Sequence, residues 1–396
     1  MIRKMPIYSK FLLPALLIGL LSGIVDTVFG QVLLLVGDFR QHAFFYLVPF
    51  LGPMGLLILF LYQKWGKNSQ KGMTLVFEVG HGSTESLPKR LIPLVMGTTW
   101  LTHLFGGSAG REGVAVQLGA TIAHQFTAYF PKKEERNLLL LIGMAAGFAG
   151  LFQTPLAASF FAIEVLVVGH YSWAALAPAL VASITASTTS HLLGLEKFQY
   201  VLQDNISLSP LLIGKLVLLG VAFAAVGNLF AFLLTNTKLL FAKKIPNPYQ
   251  RIILIGLGIS MIMMLFHQGR YAGLGTNLIE ASFDGQTIYL YDWFAKLLLT
   301  VLTLSVGFQG GEVTPLFAMG ASAGVVLAGV LGLPFAFAAA LGYIAVFGAA
   351  TNTLLAPVFI GIEVFGWQYT PAYLLVVAVA YFLNRRYSIY SAQKGL

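Results

Sequence analysis

Residues Gly143–Val165 read GMAAGFAGLFQTPLAASFFAIEV, and residues Gly342–Val364 read GYIAVFGAATNTLLAPVFIGIEV. Aligned without a gap, ten of the 23 positions are identical, with a shared Thr…Leu-Ala…Phe…Ile-Glu-Val skeleton, so the chain is internally duplicated. The duplication predicts two halves, 1–205 and 206–396, joined near Asp204-Asn-Ile-Ser-Leu-Ser-Pro210, with no separate soluble domain. An odd number of membrane crossings per half would make the repeats inverted, facing each other across the bilayer.

Each repeat block follows a glycine-rich turn that carries a carboxylate. The turns are Gly107-Ser-Ala-Gly-Arg-Glu112-Gly-Val114 and Gly307-Phe-Gln-Gly-Gly-Glu312-Val-Thr-Pro315. Both lead into hydrophobic helices. A turn that opens a helix aims unsatisfied N–H groups and a positive dipole end at whatever sits there. Two such turns, one from each half, predict an anion site near the bilayer midplane.

The surrounding composition is that of a polytopic membrane protein. The chain is 57% hydrophobic and 10% charged with mean hydropathy +0.81, against about 25% charged residues in a soluble domain. Apolar blocks of uneven length, from Phe11–Val36 to Ala372–Leu383, with 42 glycines, predict tilted and broken helices in an all-α fold. The net charge of +9 comes from short basic clusters: Arg3/Lys4/Lys10, Lys64/Lys67/Lys71, Lys89/Arg90, Lys132/Lys133/Arg136, Lys243/Lys244/Arg251 and Arg385/Arg386. That is a positive-inside pattern with a cytoplasmic N-terminus, not a nucleic-acid surface. The first apolar block runs too long for a signal peptide and lacks a small-residue cleavage site, so it reads as a retained helix. With no cysteine there is neither disulfide nor thiolate metal site. No nucleotide loop and no paired-histidine spacing points to a cofactor or metal.

The Gly-Arg-Glu-Gly of 110–113, the Gly-Gly-x-x-x-Pro of 310–315 and the tail Tyr390-Ser391-Ala392 fall in one order and spacing. Together with the duplication, they resemble the CLC family of anion channels and anion/proton antiporters across nearly the whole chain. Three departures are informative. The usual Gly-Ser-Gly-Ile-Pro turn is absent, and Lys71-Gly-Met73-Thr-Leu-Val stands at the matching distance. The later motif carries Glu312-Val313-Thr314 where Ile-Phe is common, and Val114 replaces the proline after Gly-Arg-Glu-Gly. These changes resemble the bacterial CLC-F branch of fluoride/proton antiporters.

The resemblance implies two inverted repeats of tilted and broken helices in a bacterial inner (plasma) membrane, in a homodimer with one pore per subunit, with fluoride and protons as the transported species. It implies Glu112 as a gate that occupies the anion site when deprotonated and carries a proton away when protonated; an Arg111–Glu112 ion pair is the plainer role. Glu312 would be a second residue of the proton or fluoride path, or a cap of the following helix. Gly110, Arg111, Gly113, Val313 and Thr314 would surround the anion, with Thr314 Oγ1 as a direct donor or as a helix cap. Tyr390 would close the inner mouth. Met73 stands where the family serine faces the anion, although a thioether cannot donate a hydrogen bond.

Glu164 and Glu363, at equivalent repeat positions, read as matched structural residues at helix ends. Glu196 reads as a solvated loop charge, and Asp26, His103, Lys215 and Lys296 as residues that snorkel or pair across helices. A chloride/proton antiporter or a passive anion channel of the same fold is the alternative function. An intramembrane enzyme using Glu112 and Glu312 lacks a nucleophile or ligand set to accompany them.

Overall fold

The computed structural model describes residues 9–203, 206, 209–384 and 387–395. Arg3, Lys4, most of the Asp204–Pro210 junction and Arg385/Arg386 lie outside the described residues. Sixteen α-helices of eight or more residues form the described fold, eight before the 193–209 connection and eight after it. The first eight are α1 (Ser9–His42), α2 (Leu51–Leu61), α3 (Met73–Gly80), α4 (Leu91–Leu104), α5 (Glu112–His124), α6 (Lys133–Phe152), α7 (Pro155–Glu164) and α8 (Leu176–Leu192). The second eight are α9 (Pro210–Lys244), α10 (Pro248–Leu265), α11 (Thr276–Phe283), α12 (Asp292–Ser305), α13 (Val313–Leu331), α14 (Phe335–Thr351), α15 (Leu355–Phe365) and α16 (Thr370–Leu383). The order of lengths repeats: a helix of 34 or 35 residues opens each half, and an eight-residue helix comes third.

At 1.5 Å per residue an eight-residue helix reaches about 12 Å, well short of the ~30 Å hydrocarbon layer. Helices α3 and α11 therefore end inside the molecule, where protein rather than lipid must satisfy their termini. The apolar block Leu138–Val168 is likewise two helices. The chain breaks at Gln153, whose φ is +55°, and the equivalent Asn352 breaks the second repeat at φ +53°. Each side-chain amide then satisfies a carbonyl beyond the break: Gln153 Nε2 donates to Leu195 O at 2.6 Å, and Asn352 Nδ2 to Tyr387 O at 2.9 Å.

Packing follows the duplication. Helices α5 and α6 meet through Gly119, Gly143 and Gly147, and α13 and α14 through Gly320, Gly324 and Gly342. A Cβ on Gly119 would lie 2.1 Å from Gly143 O, and one on Gly320 the same distance from Gly342 O. Only hydrogen fits, and the backbones touch.

The halves are tied by reciprocal contacts. Glu164, at the end of α7, accepts from the N–H groups of Leu354, Leu355 and Ala356 at 3.0, 3.1 and 2.7 Å, capping α15. Glu363 in α15 accepts from Leu156 and Ala157 at 3.1 and 2.8 Å, capping α7. The missing third bond has a simple cause: the position equivalent to Leu354 is Pro155, which has no N–H. Phe160 and Phe359, also equivalent, stack on each other at 4.2 Å and 3°. A residue that meets its own equivalent lies on a two-fold axis relating the halves, consistent with the inverted repeats that the resemblance implies.

Basic segments gather at one end. Lys10 pairs with Glu135 at 2.7 Å, Lys71 with Glu85 at 2.6 Å, and Arg90 Nη1 donates to Trp65 O at 3.2 Å. Burial does not change the reading of Glu196, which is exposed.

Candidate functional site

The two glycine turns meet face to face. Gly311 N–H donates to Gly110 O at 2.7 Å and Gly110 N–H donates back to Gly311 O, a two-residue antiparallel bridge between the halves. Side chains are excluded here: a Cβ on Gly110 would lie 2.8 Å from Pro315 Cδ, and Gly310, at φ +154°, would bring one within 2.5 Å of Ala109 Cβ.

The bridge sets the start of α5 against the start of α13. Glu112, the first residue of α5, is fully buried. Its Oε2 accepts from Thr314 N–H at 3.0 Å and from Thr314 Oγ1, and lies 3.4 Å from Arg111 N. The carboxylate of the first half thus occupies the N-terminal anion position of a helix in the second half. Its other oxygen, Oε1, has no hydrogen-bond partner, and Arg111 Nε stands 3.6 Å away, outside hydrogen-bond geometry. The Arg111–Glu112 pair is therefore a loose ion pair, and the stronger bonds go to Thr314.

Glu312 takes the N-cap position of α13, but its side chain makes no capping bond. The capping expected of Glu312 is done by Glu112. Glu312 Oε2 instead lies near Gly113, 3.3 Å from where a Cβ would stand, and the side chain lines a cavity of ≈ 350 Å³ with Met73, Tyr390, Gln117, Lys71 and Lys238. Val313, the first residue of α13, is buried beside it. Met73 opens α3 after Gly72 at φ +54°, so a third helix start borders the same cavity.

Tyr390 closes the cavity wall. Its ring packs on Phe77 at 4.9 Å and Phe161 at 6.3 Å, and its buried hydroxyl has no hydrogen-bond partner. The tail is held by backbone pairing with the first repeat: Val168 N–H donates to Lys394 O at 2.9 Å and Lys394 N–H to Leu166 O at 3.2 Å. Gln393 Nε2 adds bonds to Val165 O and Thr351 O, both 2.8 Å. A buried, unpartnered phenol on a residue that lines a cavity with a carboxylate is unusual among buried polar groups, which nearly always find a partner.

The expected residues thus form two adjoining groups. Gly110, Arg111, Glu112 and Thr314 make the inner contact; Gly113 joins it to Glu312, Met73 and Tyr390 on the cavity. Sequence reading missed Gln117 and Lys238. Gln117 stands one turn after Gly113 in a largely apolar helix, where an isolated amide was the available signal, whereas Lys238 closes the polar run Thr235-Asn-Thr-Lys238 near the end of a long helix. Lys296 does not snorkel: it is fully buried and bonds across to other segments, donating to Ser108 Oγ, Tyr271 O and Gly273 O. Asp26 is fully buried, and neither of its oxygens has a hydrogen-bond partner. His103 is held by backbone carbonyls, Thr99 O at 2.8 Å and Ala109 O at 2.9 Å.

Residues 54–385 match the family model described as voltage gated chloride channel. The chain is 34% identical over 401 residues to a chloride/fluoride channel protein of Pseudomonas syringae pv. tomato, covering 98% of this chain and 87% of that one. It is also similar to the crystal structure of a CLC-type fluoride/proton antiporter, with 53% identity, a TM-score of 0.97, and 99% and 100% of the two chains covered. The fold alone extends to a slow cyanobacterial Cl-/H+ antiporter, 20% identical with a TM-score of 0.82 over 94% and 93% of the chains.

Proposed function

The chain belongs to the voltage-gated chloride channel (CLC) family of membrane transport proteins, and from that membership we propose that it is a fluoride/proton antiporter which expels fluoride in exchange for protons. The observation that carries the reading is the Glu112 carboxylate bonded to both donors of Thr314. An ionised Glu112 holds the place of an anion. Once protonated it is a poorer acceptor for a helix N-terminus, and it leaves with its proton. Thr314 N–H and Oγ1 then serve the incoming anion. Proton and anion share one position, so neither crosses without displacing the other.

Fluoride is favoured over chloride by the same donors. A small, strongly hydrated anion enters only where several aligned donors replace its water. Thr314 supplies two, and the Tyr390 hydroxyl supplies another from the cavity wall. Met73 replaces a hydroxyl donor with a soft apolar wall, and Glu312 places a second proton acceptor on the cavity side of Gly113. The identity to a solved fluoride/proton antiporter supports this choice.

The protein is placed in a bacterial inner membrane with the Lys10/Lys71/Arg90 end and the N-terminus in the cytoplasm, following the positive-inside rule. The halves 1–205 and 206–396 are the functional repeats. A homodimer with one pathway per subunit forms through the exposed apolar faces around α7, α8, α15 and α16, where Leu156, Ile184 and Leu374 are exposed.

The experiment loads liposomes containing the purified protein with fluoride and follows fluoride efflux and internal pH together. Efflux that drives protons uphill into the vesicle, with little chloride movement, is the expected result, and Glu112→Gln abolishes the coupling. Chloride moving as readily as fluoride makes this a chloride transporter; fluoride moving without protons makes it a channel.

A further inference from the structure

At the end of α1 opposite Lys10, some 30 residues or about 45 Å along the helix, a second polar cluster lies behind the first glycine turn. Arg40 is 7% exposed, and its Nη1 donates to His103 O at 2.9 Å. Arg40 and Lys296 crowd the same residue: Lys296 Nζ lies 2.7 Å from Gly273 O, and a Cβ on Gly273 would stand 2.6 Å from Arg40 Nη1.

Lys296 Nζ is surrounded by acceptors. Thr300 Oγ1 donates to Lys296 O at 2.8 Å, which leaves Ser108 Oγ to donate in its 2.8 Å contact with Thr300. Ser108 Oγ, Tyr271 O and Gly273 O then accept from Lys296 Nζ at 2.9, 3.1 and 2.7 Å. Two basic side chains are therefore buried side by side.

No carboxylate among the described residues forms an ion pair with either. Asp292, one helical turn before Lys296, is saturated by Arg270 Nε and Nη2 at 3.1 and 2.7 Å, Tyr271 Oη at 2.7 Å and Tyr289 N–H at 2.8 Å. Asp38, with a 71% exposed side chain 3.8 Å from His42, lines the outer part of the cavity beside Arg40 without pairing with it, so an added carboxylate there would be the second. Burying two basic groups without a counter-charge is costly unless the position is used. A cavity of ≈ 170 Å³ opens beside Arg40, lined also by His103, Gln41, Thr276 and Asn277. Its floor connects to the first glycine turn, because Ala109 N–H donates to Gly273 O at 3.2 Å and Ala109 O lies 2.9 Å from His103 Nε2.

We propose that Arg40, with Lys296 behind it, forms a docking site for a small hard anion at the mouth opposite the Met73–Tyr390 cavity. The inference rests on reading the chain as an anion transporter, but it does not depend on proton coupling. An anion released past Glu112 reaches a position where the Arg40 guanidinium, with the Lys296 donors behind it, lowers the cost of its partial dehydration. From the other direction the same guanidinium concentrates anions at the mouth.

Calorimetric titration of the full-length protein in detergent with sodium fluoride tests the site. Arg40→Gln is expected to bind one fluoride fewer per chain than wild type, while Arg40→Lys keeps the site. Gln41→Glu, an exposed change that sets a carboxylate at the cavity without removing packing, is expected to lose it as well, and it carries the test if Arg40→Gln does not fold. Equal stoichiometry and affinity in wild type and Gln41→Glu, or no fluoride bound by any form, overturns the proposal.

Transport from each side gives the second readout. The chain has no cysteine, so Ser391→Cys in the other cavity lets an impermeant thiol reagent silence molecules that present that mouth to the bath. From the Arg40 side, the fluoride KM is expected to rise about tenfold in Gln41→Glu, the low end of electrostatic steering, and to be unchanged from the other side. A lower kcat from both sides with an unchanged KM marks a structural role and overturns the proposal. Fluoride flux without protons in wild type refutes the antiporter reading and leaves the docking result standing.

Discussion

Thr314 offers two donors to one oxygen of Glu112, and the two can be separated by substitution. Thr314→Val removes the hydroxyl and keeps the N–H. A hydrogen bond to a charged partner contributes about 1.5–3 kcal/mol, so the fluoride KM of Thr314→Val should rise by roughly ten- to a hundredfold, whereas Thr314→Ser stays near wild type. Steady-state fluoride flux against concentration measures both, and an unchanged KM in Thr314→Val would remove the hydroxyl from the anion path. Tyr390→Phe deletes an unpartnered hydroxyl, so its expected effect falls on fluoride transport and not on the melting temperature. Each of these residues stood out in the sequence by type and setting. That Glu112 would cap the helix of Thr314 did not, because the contact joins residues 202 apart, and no local pattern encodes it. The partners of Lys296 were hidden for a related reason: a lone lysine in an apolar run says nothing about which groups from elsewhere surround it.

The reciprocal glutamate caps make a prediction at the level of helices. Substituting a capping side chain costs about 0.5–2 kcal/mol, so Glu164→Gln and Glu363→Gln should each lower the melting temperature in detergent. Glu164 accepts three N–H groups and Glu363 two, so the Glu164 change is the larger. A reversed order would sink the symmetry argument. Overpacking a backbone contact costs about 1–3 kcal/mol; Gly119→Ala and Gly320→Ala, at matched 2.1 Å approaches, should therefore destabilise to a similar degree. The alignment of 143–165 with 342–364 made the repeat, the matched glutamates and the all-α class legible. Helix boundaries inside the apolar blocks were not, since Gln153 and Asn352 end their helices by a left-handed backbone turn that hydropathy does not register.

Across the whole molecule, the candidate site is shared between the two halves. Glycine turns, caps and aromatic stack each draw one partner from either half, and the tail that places Tyr390 pairs with residues 166–168. Separately expressed segments 1–205 and 206–396 should accordingly be inactive alone and should restore proton-coupled fluoride flux when produced together. Flux from one segment alone would contradict a site built at the interface.

The bridge between Gly110 and Gly311 also has a meaning in time. A ribosome adding about 5–20 residues per second makes Thr314 roughly 10–40 s after Glu112, given their 202-residue separation. Throughout that interval the nascent first half holds a carboxylate in the bilayer without the helix that will receive it. Until the second half arrives, water or lipid headgroups must stand in for the donors that Thr314 later supplies, so a chain that stalls between the two turns exposes its most costly side chain at its most vulnerable moment.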